Sequence, residues 1–197
     1  MSLRFLALAA VLATSSVAAE EFKCKGAFAA DSSAARLAEI YGADNVVTGP
    51  TDGPEGSTIN ASVVFPDDVH KMMTFVWWDE GADSDLSYVE LPDAASVAGL
   101  AEGMSVAEVE ALNGAPFTLA GFWWDYGGYA DFTSGRLAQL PGGCLVSVTF
   151  YPTEYANEGV DVQAISGEKA VPSSEPLLVT VAAELQAITL SYPLPLQ

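Results

Sequence analysis

The residues able to do chemistry in this chain are few and poorly matched. His70, the single histidine, stands beside Asp67, Asp68 and Lys71. Nucleophilic hydrolysis needs a hydroxyl or thiol within reach of a base that a third group orients. Serines and aspartates are plentiful, but no nucleophile-elbow pattern surrounds any serine, so His70 reads as an exposed loop residue. Cys24 and Cys144 are the only cysteines. With one histidine they fall short of the usual zinc ligand set. The absence of a Cys-x-x-Cys motif argues against thiol–disulfide exchange. Asp79, Glu80, Asp83 and Asp85, with Glu90 beyond, form the densest acidic run. Calcium needs several oxygen ligands on a turning loop. The EF-hand glycine and spacing are missing, so 79–85 is left between a solvated acidic hairpin and a calcium loop. Two carboxylates could serve glycoside hydrolysis, but among so many acids some pairing is certain by chance. No glycine-rich phosphate loop opens a helix. The expectation is a protein with no catalytic residues, no metal and no cofactor.

Aromatic residues carry the stronger signal. Trp77-Trp78 and Phe122-Trp123-Trp124 place adjacent rings on stretches that read as strands. Neighbouring strand residues face opposite sides. If one face of the sheet lies on helices, one ring of each pair looks outward. Trp77, Trp123, Tyr126 and Tyr129 are the predicted contacts, with Tyr151 nearby and Arg136 placed to orient a carboxylate. Such a patch, rimmed by acids, would suit a binding surface. The competing reading covers both faces and puts Phe122 and Trp124 in the core.

The elements that must hold these rings follow a recurring plan. Ser105 is an N-cap, Glu108 three residues later completes a capping box, and Met104 and Val109 form a hydrophobic staple. Gly114 and Pro116 stop the helix. Ser33 to Gly42 overlays Ser105 to Gly114 without a gap. Alternation predicts strands at Ala61–Phe65, Met72–Trp78, Leu86–Leu91, Phe122–Tyr126, Leu145–Tyr151 and Ile188–Tyr192. Met73-Thr74-Phe75 aligns with Val148-Thr149-Phe150. Residues 48–58, rich in glycine, proline and threonine, read as an inserted loop, and 154–176 as a second insertion. The segment 174–186, where Ser174 precedes Glu175-Pro176 as an N-cap, fits a helix followed by a strand, but Val179-Thr180-Val181 alone also suits a strand. The expected fold is α+β: two tandem modules of short helix plus antiparallel sheet, over 20–95 and 96–197, joined near Asp93–Gly99.

Compartment follows from the N-terminus and the charge. Arg4, an apolar run from Phe5 to Ala13 and the small residues Val17-Ala18-Ala19 make a signal peptide over 1–19. The apolar run is shorter than the roughly 20 residues of a membrane span. Losing Arg4 takes the 7 Lys+Arg to 6 against 26 Asp+Glu, so the net charge of −19 becomes −20. Phosphate recognition needs a basic surface, so nucleic acid is excluded as a partner. Two cysteines in an exported chain predict one disulfide, against the alternative of two buried thiols. Its closed loop of about 120 residues would contribute up to ~5 kcal/mol.

Gly103-Met104-Ser105, Glu108-Val109, Leu112, Gly114 and Pro116 resemble the small periplasmic modules of the SmpA/OmlA type. Those modules are similar in plan to the secreted β-lactamase inhibitor proteins, which carry two copies in tandem. Gly121 to Gly128 and Gly142-Gly143-Cys144 also resemble a group of exported bacterial proteins of uncharacterised role. The resemblance implies the fold, not the function. The inhibitor proteins hold a disulfide inside each repeat, whereas one pair is available here. The functional expectation is a non-catalytic periplasmic or secreted module that binds a protein or peptide of the cell envelope. The alternatives are an envelope-maintenance protein with no small ligand and an inhibitor of a secreted or periplasmic hydrolase.

Overall fold

The computed structural model describes residues 20–153 and 158–195. The signal peptide expected over 1–19 lies outside the described residues, as does 154–157 within the expected second insertion. The described residues are mixed, with three short α-helices against one large sheet. In chain order come β1 (Glu20–Glu21), α1 (Ala34–Tyr41), β2 (Val46–Asp52), β3 (Thr58–Val64), β4 (Met73–Asp79), β5 (Ser84–Glu90), β6 (Ala95–Val97) and β7 (Leu100–Ala101). Then follow α2 (Val106–Asn113), β8 (Thr118–Ala120), β9 (Tyr129–Asp131), β10 (Leu145–Pro152), β11 (Ala170–Pro172), α3 (Pro176–Thr180) and β12 (Ala183–Ser191). Nine strands form one sheet in the order β11-β8-β9-β10-β12-β5-β4-β3-β2. Every neighbour pair in it is antiparallel. Its two central strands, β5 and β12, meet through Val89 opposite Leu190. A small second sheet sets β1 parallel to β6, which pairs with β7.

Helix ends obey their local chemistry. The Ser105 hydroxyl accepts from Glu108 N, and the Glu108 carboxylate accepts from Ser105 N at 2.8 Å, closing the capping box. Gly114 ends α2 at φ 73°, left-handed backbone that glycine adopts without penalty. Ser33 caps α1 through Arg36 N. Each cap residue also bridges to the start of a central strand, Ser33 to Ser84 and Ser105 to Glu184. Helices of eight residues are marginal alone and hold only when packed. Leu37 and Val109 supply that packing, both fully buried among Phe75, Leu86, Val89, Phe150, Leu185 and Leu190. Burying one such side chain stabilises by roughly 1.5–3 kcal/mol. On the other face of the sheet Val47, Glu90, Tyr129, Leu145 and Tyr151 are exposed.

Three expectations need correction. Residues 48–58 are not simply an inserted loop: 46–52 pairs along its whole length with 58–64, and Gly53 N donates to Ser57 O across the tip. Pro50 fits there because β2 is an edge strand, where a missing N–H breaks no ladder bond. The aromatic run 122–126 is not a strand. Trp123 has φ 62° and Gly128 φ 76°, so the chain turns between β8 and β9. Its amides bond to a distant segment instead: Gly121 N to Lys169 O and Phe122 N to Ile165 O at 2.7 Å. Finally, the segment 174–186 holds a helix followed by the start of β12, but the cap is Glu175, which accepts from Leu177 N, and not Ser174.

Cys24 and Cys144 are joined, with Cα atoms 5.9 Å apart and a sequence separation of 120. The bond ties the stretch after β1 to the residue before β10. Tyr192 adds a second long tie, its hydroxyl donating to Phe28 O at 2.8 Å. Among the described residues no helix is long and apolar enough to cross a membrane.

Candidate protein-binding surface

The loop 121–128 presents the aromatic residues, and its geometry begins with Phe122. That ring is fully buried. Trp123 packs edge-on against it at 5.7 Å and Tyr151 at 6.1 Å. The two outer rings therefore share one buried anchor. Trp123 remains 39% exposed and Tyr151 44%. Positive φ at a bulky residue is strained backbone, and here it turns the Trp123 ring outward while Phe122 stays inside. Trp124 folds back: its indole N–H donates to Gly121 O at 2.6 Å, and its ring meets Tyr126 edge-on at 5.4 Å. Gly127 and Gly128 let the turn close. A side chain on Gly128 would run into the Phe150 carbonyl of β10.

Tyr126 is exposed, and its hydroxyl donates to Glu55 Oε1 at 2.9 Å. Glu55 sits at the tip of the β2–β3 hairpin with φ 56°. The bond joins the tip of an edge hairpin to the loop between β8 and β9. The carboxylate beside it holds the Tyr126 phenol above the usual tyrosine range. Tyr129, on β9 opposite Thr149, is exposed, and Tyr151 lies two residues beyond Thr149 on β10.

Trp77, expected among the contacts, is not at the surface. It is 2% exposed, stacked on Phe75 at 6.0 Å, with its indole N–H donating to Ser62 Oγ at 3.1 Å. Alternation along β4 puts it on the core side with Met73 and Phe75. Trp78 is the outward member of that pair, its indole N–H held by Tyr192 O at 3.1 Å. Arg136 is exposed, but on a separate loop anchored at the end of α2 by its own amide on Asn113 O. Buried Asn113 organises that loop, donating to Ala115 O and Ser134 O and accepting from Leu137 N.

The residues considered for chemistry are tied up in local turns. His70 is exposed, its amide donating to Asp68, and Lys71 pairs with Asp68 at 2.9 Å. The Lys71 ammonium holds the Asp68 carboxyl below its usual range. Asp79 accepts from Gly81 N and Ala82 N, and Asp83 accepts from the Asn60 amide at 2.7 Å. Among the described residues no three histidine, cysteine, aspartate or glutamate side chains are grouped to hold a metal ion. Glu90, on the open face of β5, has its carboxyl pushed up by desolvation. Sequence reasoning missed Glu55, because nothing local links a hairpin tip to a tyrosine 71 residues away. It also missed the surroundings of the disulfide, where Lys23 and Lys25 flank Cys24; two of the scarce cations only two residues apart were the signal.

Comparison with known protein families, curated proteins and solved structures returns no match for this chain.

Proposed function

We propose that this is an exported, non-catalytic module that binds a protein or peptide of the cell envelope through the aromatic loop. The observation that carries the reading is Trp123, turned outward by a left-handed backbone and seated on the buried Phe122 ring. Strain at a bulky residue persists only where the surroundings over-determine it, and such strain clusters at functional sites. Tyr126, Tyr129 and Tyr151, each between 44% and 47% exposed, extend the patch. Tyrosine and tryptophan are the side chains that dominate protein interfaces, combining large contact area with a polar handle. The reading is non-catalytic because His70 sits on an exposed turn, Asp79 accepts from the amides of its own loop and Asp83 from the Asn60 amide.

The tandem plan belongs to the same proposal. Two halves, α1 followed by four strands of the large sheet and α2 followed by five, would meet at β5 and β12. The matching cap-to-strand bridges at Ser33–Ser84 and Ser105–Glu184 support it. So do register shifts in both the β4–β5 and β10–β12 pairs. Export is supported by the signal-peptide pattern over 1–19 and by the disulfide, which persists in oxidising compartments.

The test is capture from an envelope extract by the immobilised protein beside Trp123→Ala, Tyr151→Ala and Trp78→Ala variants of equal folded fraction. A protein held by the parent and by Trp78→Ala, and lost by the other two, is the expected result. Equal capture by all four would remove the aromatic loop from the function.

A further inference from the structure

A cavity of about 420 Å³ opens beside the disulfide. Phe22, Val97, Leu140 and Pro141 give its lining apolar side chains, and Glu21, Lys23 and Lys25 give it charged ones. We propose that it is a binding site for a small amphiphilic carboxylate, an unbranched alkanoate whose chain lies on this wall and whose head group is held by Lys25.

Size and wall chemistry come first. Small-molecule sites typically enclose roughly 300–1,000 Å³, mostly apolar with a few placed polar groups. Here Phe22, Val97 and Leu140 are buried, while Lys23 and Lys25 are exposed. The wall is also held in place. Phe22 N donates to Ser96 O at 2.8 Å, β1 pairs with β6, and Cys24 is bonded to Cys144. Gly142 lies so close to Cys24 that a side chain there would meet its carbonyl. A cavity built on a disulfide and a strand pair keeps its shape in the absence of ligand, which lowers the ordering cost of binding.

Charge selects the head group. Beyond residue 19 the chain has six lysines and arginines, and two of them line this one cavity. Lys23 is paired with Glu21 at 3.0 Å. Among the described residues Lys25 has no ion-pair partner, whereas Arg36 and Lys71 are each matched with an aspartate. With Glu21 committed to Lys23, the uncommitted Lys25 ammonium in the lining of a largely apolar cavity attracts an anion that carries its own apolar tail. In a chain of net charge −19 a simple inorganic anion is repelled overall, so the tail is needed to hold it.

Isothermal titration of the protein with octanoate and octyltrimethylammonium below their micelle concentrations, and with 1-octanol below its solubility limit, tests this. Octanoate is expected to bind with a Kd on the order of 0.1 mM and about tenfold more tightly than the ammonium. Lys25→Glu should weaken octanoate about tenfold and leave octanol unchanged. Ala98→Phe, which places a ring in the cavity, should abolish binding of both. Ala98 already has φ 52°, and if its variant does not fold, Lys25→Glu on an exposed side chain still decides. No octanoate binding at about 1 mM, equal binding of the ammonium, or indifference to Lys25→Glu would overturn the assignment. So would a dimer in sedimentation that Ala98→Phe dissociates, since a second copy of the chain would then fill the cavity.

Discussion

Two Trp-Trp pairs occur in this molecule, Trp77-Trp78 on β4 and Trp123-Trp124 between β8 and β9, and they end up in opposite arrangements. On β4 the first ring is buried and the second exposed. In the loop the first is exposed and the second folds back on Gly121. Strand alternation accounts for the first pair: Trp77 stacks on Phe75, two residues before it, and Trp78 turns out. The second pair has no ladder to obey. Its orientation comes from left-handed backbone at Trp123 and from amides bonded to 165–169. The lesson is that ring exposure on a regular strand is a by-product of period two, whereas exposure at Trp123 is imposed against local preference.

That contrast can be broken by substitution. The largest effect is expected at Trp77→Ala, which removes the Phe75 stack and leaves the buried Ser62 hydroxyl without its indole donor. Core tryptophan truncation costs about 3–5 kcal/mol, read by chemical denaturation. A loss near that of Trp123→Ala would mean that the two environments do not differ. Gly128→Ala comes next, at about 3 kcal/mol, because it adds a side chain at positive φ against the Phe150 carbonyl. A neutral result there would show that the loop is free to adopt another path.

Trp123→Ala should cost only about 1–2 kcal/mol in stability while removing most of the partner capture. Stability loss without capture loss would make Trp123 a packing residue. Ser105→Ala should cost about 1 kcal/mol, and its pH dependence is a sharper measure. The Ser105 hydroxyl, then the Ser105 amide, hold the Glu108 carboxyl below its usual value. A depressed carboxyl stabilises the fold above the unfolded-state pKa, and that contribution disappears as pH falls through the folded one. The gap between parent and Ser105→Ala should therefore narrow on acidification, and a constant gap would exclude the capping box as its source. The smallest effect belongs to Glu55→Gln. The Tyr126 phenol is held up by its bond to Glu55, so this bond contributes below the ordinary tyrosine pKa and is lost as pH rises through the raised one. Ultraviolet titration should show one tyrosine ionising at lower pH in the variant. An unchanged titration would mean that the hairpin tip and the loop do not meet in solution.

Much of the frame was legible because short-range chemistry sets it. Both eight-residue helices begin and end where serine caps and glycine stops place them. The strands of 73–79, 84–90, 145–152 and 183–191 carry the expected alternation or proline ends. The edge strand 46–52 was hidden by Gly49 and Pro50, whose low strand propensity matters little where one side of the backbone is unpaired. The aromatic loop was misread for the opposite reason. Alternating large rings look like a strand, but nothing in 121–128 announces that its amides will be taken by 165–169.

The sequence by itself determined the caps, the strand periods and the acidic charge, since each depends on residues within a few positions or on composition alone. It also supplied the two cysteines that can pair. Tertiary structure alone decided that Trp123 turns outward while Trp124 folds back on Gly121. It alone brought Glu55 to Tyr126 and built an apolar cavity between 21–25, 97–98 and 140–142. These outcomes depend on hydrogen bonds and packing between segments tens of residues apart. Those contacts form only when the chain as a whole buries its core, and no local pattern encodes them.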